Sequence, residues 1–164
     1  MDRGRKKDPV KRVVDTTAYL SVLRELVESG ESVSVLISGM SMFPFLCHDR
    51  DTVFFQAPDR ALRKGDIVFY QRRNGKFVMH RICKVKDDGY YIVGDAQDVI
   101  EGPVSRDQIF AVVTRVLRDG RELDPSSLTW KFFEIIWIRV IPLRRYLMLP
   151  FRAARKLKII LRRS

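Results

Sequence analysis

The chain predicts a mainly β protein with flanking helices: a compact, antiparallel, barrel-like body with one helix before it and amphipathic helices after it. Three observations carry that prediction. Beyond Ser32 the apolar residues fall into six short runs, VSVLIS, TVFFQA, DIVFYQ, KFVMHRICKV, YYIVG and QIFAVVTRVL. Their richness in Val, Ile, Phe and Tyr is that of half-buried strands. Turn-formers separate them (Pro44, Pro58, Asn74-Gly75, Asp88-Gly89, Gly102-Pro103), and no insert is long enough for a crossover helix, which excludes a parallel βαβ sheet. On either side of this region the apolar period changes to that of a helix.

In order along the chain, residues 1–12 form a basic arm. Asp15 is placed to cap a helix in which Tyr19, Leu20, Val22, Leu23, Leu26 and Val27 recur at helical spacing until Gly30 stops it. Within the strand region, Asn74-Gly75 between two apolar runs predicts a tight hairpin. After Asp124-Pro125, Ser126 or Ser127 can cap a short apolar helix reaching Ile141. Pro142 then opens a second, with Leu143, Leu147, Phe151, Ala154, Leu157 and Leu161 near one face and a kink at Pro150. The expected division is a basic arm and amphipathic helix over 1–31, a β domain over 32–124 and a basic amphipathic helical tail over 125–164.

With 164 residues, 46% hydrophobic and 31% charged, the chain suits one folded domain and is neither disordered nor low-complexity. Its net charge of +11 is concentrated: residues 131–164 hold ten Lys and Arg against Glu134 alone, so the body is nearly neutral. Trp130, Phe132, Phe133 and Trp137 precede the basic stretch, as interface anchors do, rather than interleaving with it, so a nucleic-acid partner is not expected. This is the composition of a helix lying on an anionic membrane surface, with Trp137, Arg144, Arg145, Arg155 and Lys156 as its lipid contacts. The plainer alternative is docking on an acidic partner or on the domain itself. The apolar window from Trp130 to Leu149 is interrupted by charges and Pro142, so a spanning helix is not expected. Residues 1–12 are followed by Asp15, Thr16 and Thr17 rather than an apolar run, so no export signal is expected either. Attachment is expected to be peripheral, with the cytoplasmic face favoured by the polybasic tail. Two cysteines, Cys47 and Cys83, in no C-x-x-C pair, provide no disulfide framework and no metal site; no metal or cofactor is expected.

The stretch Ile37-Ser38-Gly39-Met40-Ser41-Met42-Phe43-Pro44 places a serine between turn residues just after an apolar run. That suits a nucleophile and equally an ordinary turn. A serine hydroxyl is inert without a base, and there are two histidines. His48 lies in a Cys-His-Asp-Arg turn. His80 lies on a strand, on the face opposite Met79 and Arg81, and is the better placed to face a pocket. A lone strand histidine is more often structural than catalytic.

Four segments taken together are more specific. SGMSMFPFL resembles the S-M-x-P nucleophile box of the signal peptidase I superfamily, the S24/S26-type serine peptidases. LRKGDIVFY resembles the K-G-D-hydrophobic box that follows it, VMHRICKV the box in which His-Arg replaces Lys-Arg in the serine–histidine branch, and VGDAQD the Gly-Asp box. They occur in the family's order over residues 34–116. The resemblance implies the signal-peptidase β fold, Ser41 as nucleophile and His80 as general base. It also implies oxyanion donors at the Ser41 amide and at the Ser38 hydroxyl or Met40 amide. For the acid that orients His80 it leaves Glu101 and Asp95 level, with Asp98 behind, because GDAQDVIEGP departs from the family's G-D-N-N pattern. Asp95 could equally cap a turn, Asp66 reads as a turn former and Arg81 as an ion-pair partner.

The implied function is a serine endopeptidase that cleaves signal or leader peptides from a preprotein substrate at a membrane. The alternatives are a catalytically degenerate peptidase-fold adaptor, or the self-cleaving repressor branch that SGMSM also resembles. Against the latter, the base position reads His and no Ala-Gly or Cys-Gly dipeptide exists. Familiar signal peptidases carry an N-terminal membrane anchor, and residues 15–29 are too polar to be one.

Overall fold

The computed structural model describes residues 16–151. Helix α1 (Thr16–Glu28) leads into strands β1 (Val33–Leu36), β2 (Thr52–Gln56), β3 (Ile67–Gln71), β4 (Phe77–Lys86), β5 (Gly89–Val93), β6 (Glu101–Val104), β7 (Ile109–Arg118) and β8 (Arg121–Leu123), then short helices α2 (Leu128–Lys131) and α3 (Arg144–Leu147). The fold class expected from the sequence is the one observed, mainly β with flanking helices. The strands form one antiparallel sheet in the order β1-β2-β7-β3-β4-β5-β6, with β8 on β7.

The sheet is curled but open. Bulges at Phe54/Phe55, Phe69/Tyr70 and Ile82/Lys84 bend it, yet among the described residues β1 pairs only with β2 and β6 only with β5. The barrel-like expectation is corrected to this extent: two edges stay unpaired. Two strands escaped the sequence pattern. β6 contains Gly102-Pro103 and read as a turn, and β8 is too short to show a period of two. The Asn74-Gly75 hairpin forms as expected, with Gly75 at φ +82° and the Arg72 amide donating to the Lys76 carbonyl at 2.9 Å.

Strand alternation gives the sheet two apolar faces. On one, Val53, Phe55, Ile67, Phe69, Phe110 and Val113 are covered by Leu23 and Val27 of α1, by Met42, Phe45 and Leu46 of the β1–β2 connection, and by Trp130, Phe133, Trp137 and Met148. On the other, Val68, Tyr70, Ile82, Ile92, Val104 and Val112 pack together. α1 runs until Gly30 at φ +94°, as expected, while the proposed cap Asp15 lies outside the described residues.

The segment after β8 differs from its sequence reading. Ser127 does cap it, accepting from the Trp130 amide at 3.3 Å. Instead of two continuous helices it then makes α2, a π-type stretch over Phe132–Trp137, a 3-10 turn over Ile141–Leu143 and α3. Leu143 and Leu147 of the expected apolar seam face outward, Phe151 is half exposed with its ring against Phe43, and Ile141, Arg144 and Met148 face the body. Trp137 and Arg144 were expected to contact lipid; they are buried, Arg144 completely. Their polar atoms have found protein carbonyls, which is why they sit inside. Arg145 is exposed beside the Tyr146 hydroxyl, and Arg155 and Lys156 lie outside the described residues. Among the described residues no helix is long and apolar enough to cross a membrane.

Candidate active site

The β1–β2 connection is pinned at both ends before it reaches Ser41. The Ile37 amide donates to the Asp51 carbonyl at 2.8 Å, and the Ile37 carbonyl accepts from the Asp49 amide at 2.9 Å. Asp51 is fully buried and accepts from the Cys47 amide, Arg50 and Arg118. Burial alone would raise its pKa, but these donors outweigh it and hold the carboxyl below its usual range. Gly39 turns the chain at φ +105°, a region that favours glycine, and its amide donates to His48 Nδ1 at 3.1 Å. With Met42, Phe45 and Leu46 sunk in the core, Ser41 is left half-buried. Its carbonyl accepts from the Ala96 amide at 2.9 Å, and its hydroxyl has no hydrogen-bond partner among the described residues. Ser38 is exposed, and Met40 is half-buried with its carbonyl accepting from the Phe43 amide at 3.2 Å.

His80 stands on β4 opposite Val68, only 4% exposed, its ring centroid 6.4 Å from that of Tyr70. It lines a cavity of about 290 Å³ together with Arg72, Ala96, Gln97, Asp98, Val99 and Glu101. No hydrogen bond reaches its ring among the described residues. Burial pushes the imidazole pKa down to about 4, helped by the positive charge of Arg72, while Glu101 and Asp95 pull the other way. His80 is therefore neutral at pH 7, as a general base must be before it acts. The 94–97 loop is what Ser41 and His80 share: Ala96 both bonds the Ser41 carbonyl and lines the histidine's cavity. Gly94 is there because of close approach, since a Cβ on it would lie 2.5 Å from the Ser41 carbonyl oxygen.

The three candidate acids separate. Asp95 is fully buried and paired with Arg81 through two hydrogen bonds of 3.0 and 2.8 Å. Asp95 therefore holds Arg81 rather than the imidazole, and Arg81 is the ion-pair partner its position suggested. Glu101 shares the His80 cavity, but its oxygens accept from Arg72 at 2.6 to 3.0 Å and from the Tyr70 hydroxyl at 2.9 Å. Burial would raise the Glu101 pKa; the donors Arg72 and Tyr70 reverse that and lower it. Tyr70, buried and donating to a carboxylate, is shifted upward and stays a donor. Asp98 is exposed at the cavity's rim. Asp66 behaves as a turn former, held by Arg60 and the Arg63 amide.

A second concavity, about 340 Å³, adjoins this region. It is lined by Val35, Leu36, Ile37 and Ser38 on one side and Phe77, Val78 and Met79 on the other, with Phe69 beneath and Tyr19 and Leu20 of α1 beside it. Among the described residues both strands offer unpaired backbone here: β1 pairs only with β2, and β4 meets β5 only from Arg81 onward.

A family profile described as Peptidase S24-like matches residues 5–117. The chain belongs to the S24-like peptidase family. The match covers α1, β1 to β6, β7 up to its last residue and every candidate residue from Ser38 to Glu101, which places the chain within the S24/S26 serine peptidase superfamily. Neither curated proteins nor solved structures give a match. The family's serine chemistry needs a hydroxyl, a base and donors for an oxyanion. In this S24-like chain Ser41 and His80 both adjoin the 94–97 loop, Ser41 through its carbonyl and His80 through the cavity that Ala96 also lines. Sequence reasoning missed Arg72 and Tyr70, which hold Glu101. In QRRNGK nothing distinguishes Arg72 from Arg73, and only the twist of the hairpin decides which meets β6. Among the described residues no cluster of His, Cys, Asp and Glu could hold a metal ion.

Proposed function

We propose that the protein is a signal-peptidase-like serine endopeptidase that cleaves signal or leader peptides with Ser41 as nucleophile and His80 as base. The observation that supports this most is the sharing of the 94–97 loop by an unengaged Ser41 hydroxyl and a neutral, cavity-lining His80. In this reading His80 takes the Ser41 proton as the hydroxyl oxygen attacks a peptide carbonyl. The acyl-enzyme forms, and the imidazolium returns its proton to the leaving amine; water then releases the acyl group by the same route. The Ser41 amide and the Ser38 hydroxyl or Met40 amide are the oxyanion donors, each worth about 3 kcal/mol when aligned. An extended substrate adds between the free edges of β1 and the first half of β4, its side chains entering the apolar groove.

The membrane part of the reading rests on the outward face of the last segment. Ile135, Ile136, Leu143, Tyr146, Leu147 and Leu149 are exposed there beside Lys131, Arg139 and Arg145. Apolar side chains rimmed by cations fit a peripheral site on an anionic lipid surface. Leu143→Gln with Leu147→Gln should weaken sedimentation with phosphatidylserine vesicles; unchanged sedimentation removes the membrane from the proposal.

The peptidase reading is tested by Ser41→Ala, which should abolish both labelling by a serine-directed acylating probe and cleavage of a leader peptide, with an unchanged circular dichroism spectrum. A Ser41→Ala protein that still cleaves rejects it. Failure of the wild-type protein to be labelled, with or without membrane, would favour a degenerate adaptor, and two defined fragments from the protein incubated alone would favour self-cleavage.

A further inference from the structure

The segment after residue 117 lies beyond the stretch that matches the family, yet it is bonded into the loop that Ser41 and His80 share. Three of the four consecutive carbonyls of that loop accept from it. Arg144 Nη1 donates to the Gly94 carbonyl at 2.9 Å and to the Gln97 carbonyl at 3.2 Å, and Trp137 Nε1 donates to the Asp95 carbonyl at 2.8 Å. The remaining Arg144 donors close the arrangement on the Trp137 carbonyl at 2.9 and 3.3 Å. From the inner side of the loop, the Ala96 amide reaches the Ser41 carbonyl. The same segment also touches the nucleophile connection, with Phe151 edge-on to Phe43 at 5.3 Å and Trp130 edge-on to Phe45 at 5.4 Å.

Arg144 is a costly way to fill that space. It is 0% exposed, and among the described residues the carboxylate paired with it, Asp95, is bonded to Arg81 and lies 3.9 Å from Arg144. Two guanidinium groups thus share one acid in a dry environment, where burial also pulls the Arg144 pKa down. Buried ionic groups can often be replaced by apolar side chains of similar size without loss of stability, so stability alone does not call for an arginine here. A planar group with donors fanned in fixed directions does serve to hold several carbonyls of one loop at once.

We infer that the last segment is a built-in clamp of the peptidase site: Arg144 and Trp137 are positioning residues that fix the 94–97 loop and, through Ala96, set Ser41 against the His80 cavity. The inference rests on the peptidase reading for its catalytic consequence, but the clamp itself can be read without catalysis. In the full chain, Arg144→Met removes the donors while keeping the aliphatic stem, Trp137→Phe removes one N–H, and Arg144→Lys restores a cationic donor group on one nitrogen without the planar fan.

Two measurements are made on each variant: the rate at which a serine-directed probe acylates Ser41, and backbone amide exchange by NMR. Arg144→Met should slow acylation by roughly ten- to a hundredfold, the range in which small misplacements of reacting groups act. It should also speed exchange at Ala96 while leaving β2 and β7 protected as in the wild type. Trp137→Phe should do the same to a smaller degree, and Arg144→Lys should recover part of the rate. Wild-type acylation in Arg144→Met, or exchange that rises equally in β2 and β7, overturns the clamp and leaves a merely structural residue. If the wild type is not acylated at all, the peptidase reading fails, and Ala96 exchange still decides: faster in Arg144→Met upholds the clamp, unchanged removes it.

Discussion

Two arginine–carboxylate pairs flank His80, and they are built in opposite ways. Arg81–Asp95 is dry, both side chains being 0% exposed, with Arg144 beside it. Arg72–Glu101 is about one-third exposed on each side. The first pair joins the His-Arg box to the Gly-Asp box and ties β4 to the loop behind Ser41. The second borders the His80 cavity and acts on the imidazole through charge alone. The difference teaches that access to water divides the labour: the dry pair fixes the loop's geometry and adds only the smallest charge effect on the imidazole, through Asp95, while the open pair supplies the two larger ones, through Arg72 and Glu101.

The largest effect that would break this comparison is on stability. Asp95→Asn leaves Arg81 and Arg144 without a carboxylate in a buried place, and should cost about 3 to 5 kcal/mol, the usual result of removing one partner of a buried pair. Glu101→Gln, at a pair that water can screen, should cost only about 0 to 1 kcal/mol. Urea denaturation with far-UV circular dichroism checks both. Equal midpoints for the two variants would show that the dry pair is not the anchor described.

Next in size is the proton affinity of His80. Arg72→Gln removes the cation that lowers the imidazole pKa and frees Glu101 to attract a proton, so the acid limb of kcat/KM should move up from about 4 by roughly one unit. Glu101→Gln should move it down. NMR titration of the His80 ring reads the same shifts without a substrate, and no movement in either variant would detach the open pair from the base. Linkage gives a companion sign. Because the folded pKa lies below the unfolded 6.5, the stability that neutral His80 contributes is complete above about pH 6.5 and is lost as pH falls through about 4.

Most of the fold was legible because its strands are long enough to show their period and its turns carry Asn74-Gly75 and Asp88-Gly89. Ser41 and His80 were singled out through box order, and the structure brings both to the 94–97 loop. What escaped lies where the pattern and its physical meaning part. Leu143 and Leu147 are exposed rather than packed on the body, Phe151 only lays its ring edge-on to Phe43, and the arginine beside them turns inward because carbonyls of a distant loop wait there. A composition rich in Arg and Lys reads as a solvated face, and nothing local marks Arg144 as different from Arg145. Likewise Glu101 was found as a carboxylate near the histidine, while its engagement by Arg72 and Tyr70 depends on which residues the β3–β4 hairpin brings over β6.

The smallest effect is the one that most directly separates the two pairs. Raising ionic strength from about 10 mM to about 1 M shortens the Debye length from about 30 to about 3 Å. Charges with access to water are screened, and those inside the protein hardly at all. The Arg72 contribution to His80 should therefore weaken, and the ring pKa should rise by a few tenths of a unit, on the order of a third of the Arg72→Gln effect. Arg72→Gln should reverse the sign of this salt response, because the charge left to be screened is the Glu101 carboxylate, whose pull on the imidazole proton then weakens. The stability gap between wild type and Asp95→Asn should stay constant over the same range. If salt moves that gap as much as it moves the imidazole, water reaches Asp95 after all, and the division between a pair that fixes geometry and a pair that tunes charge does not hold.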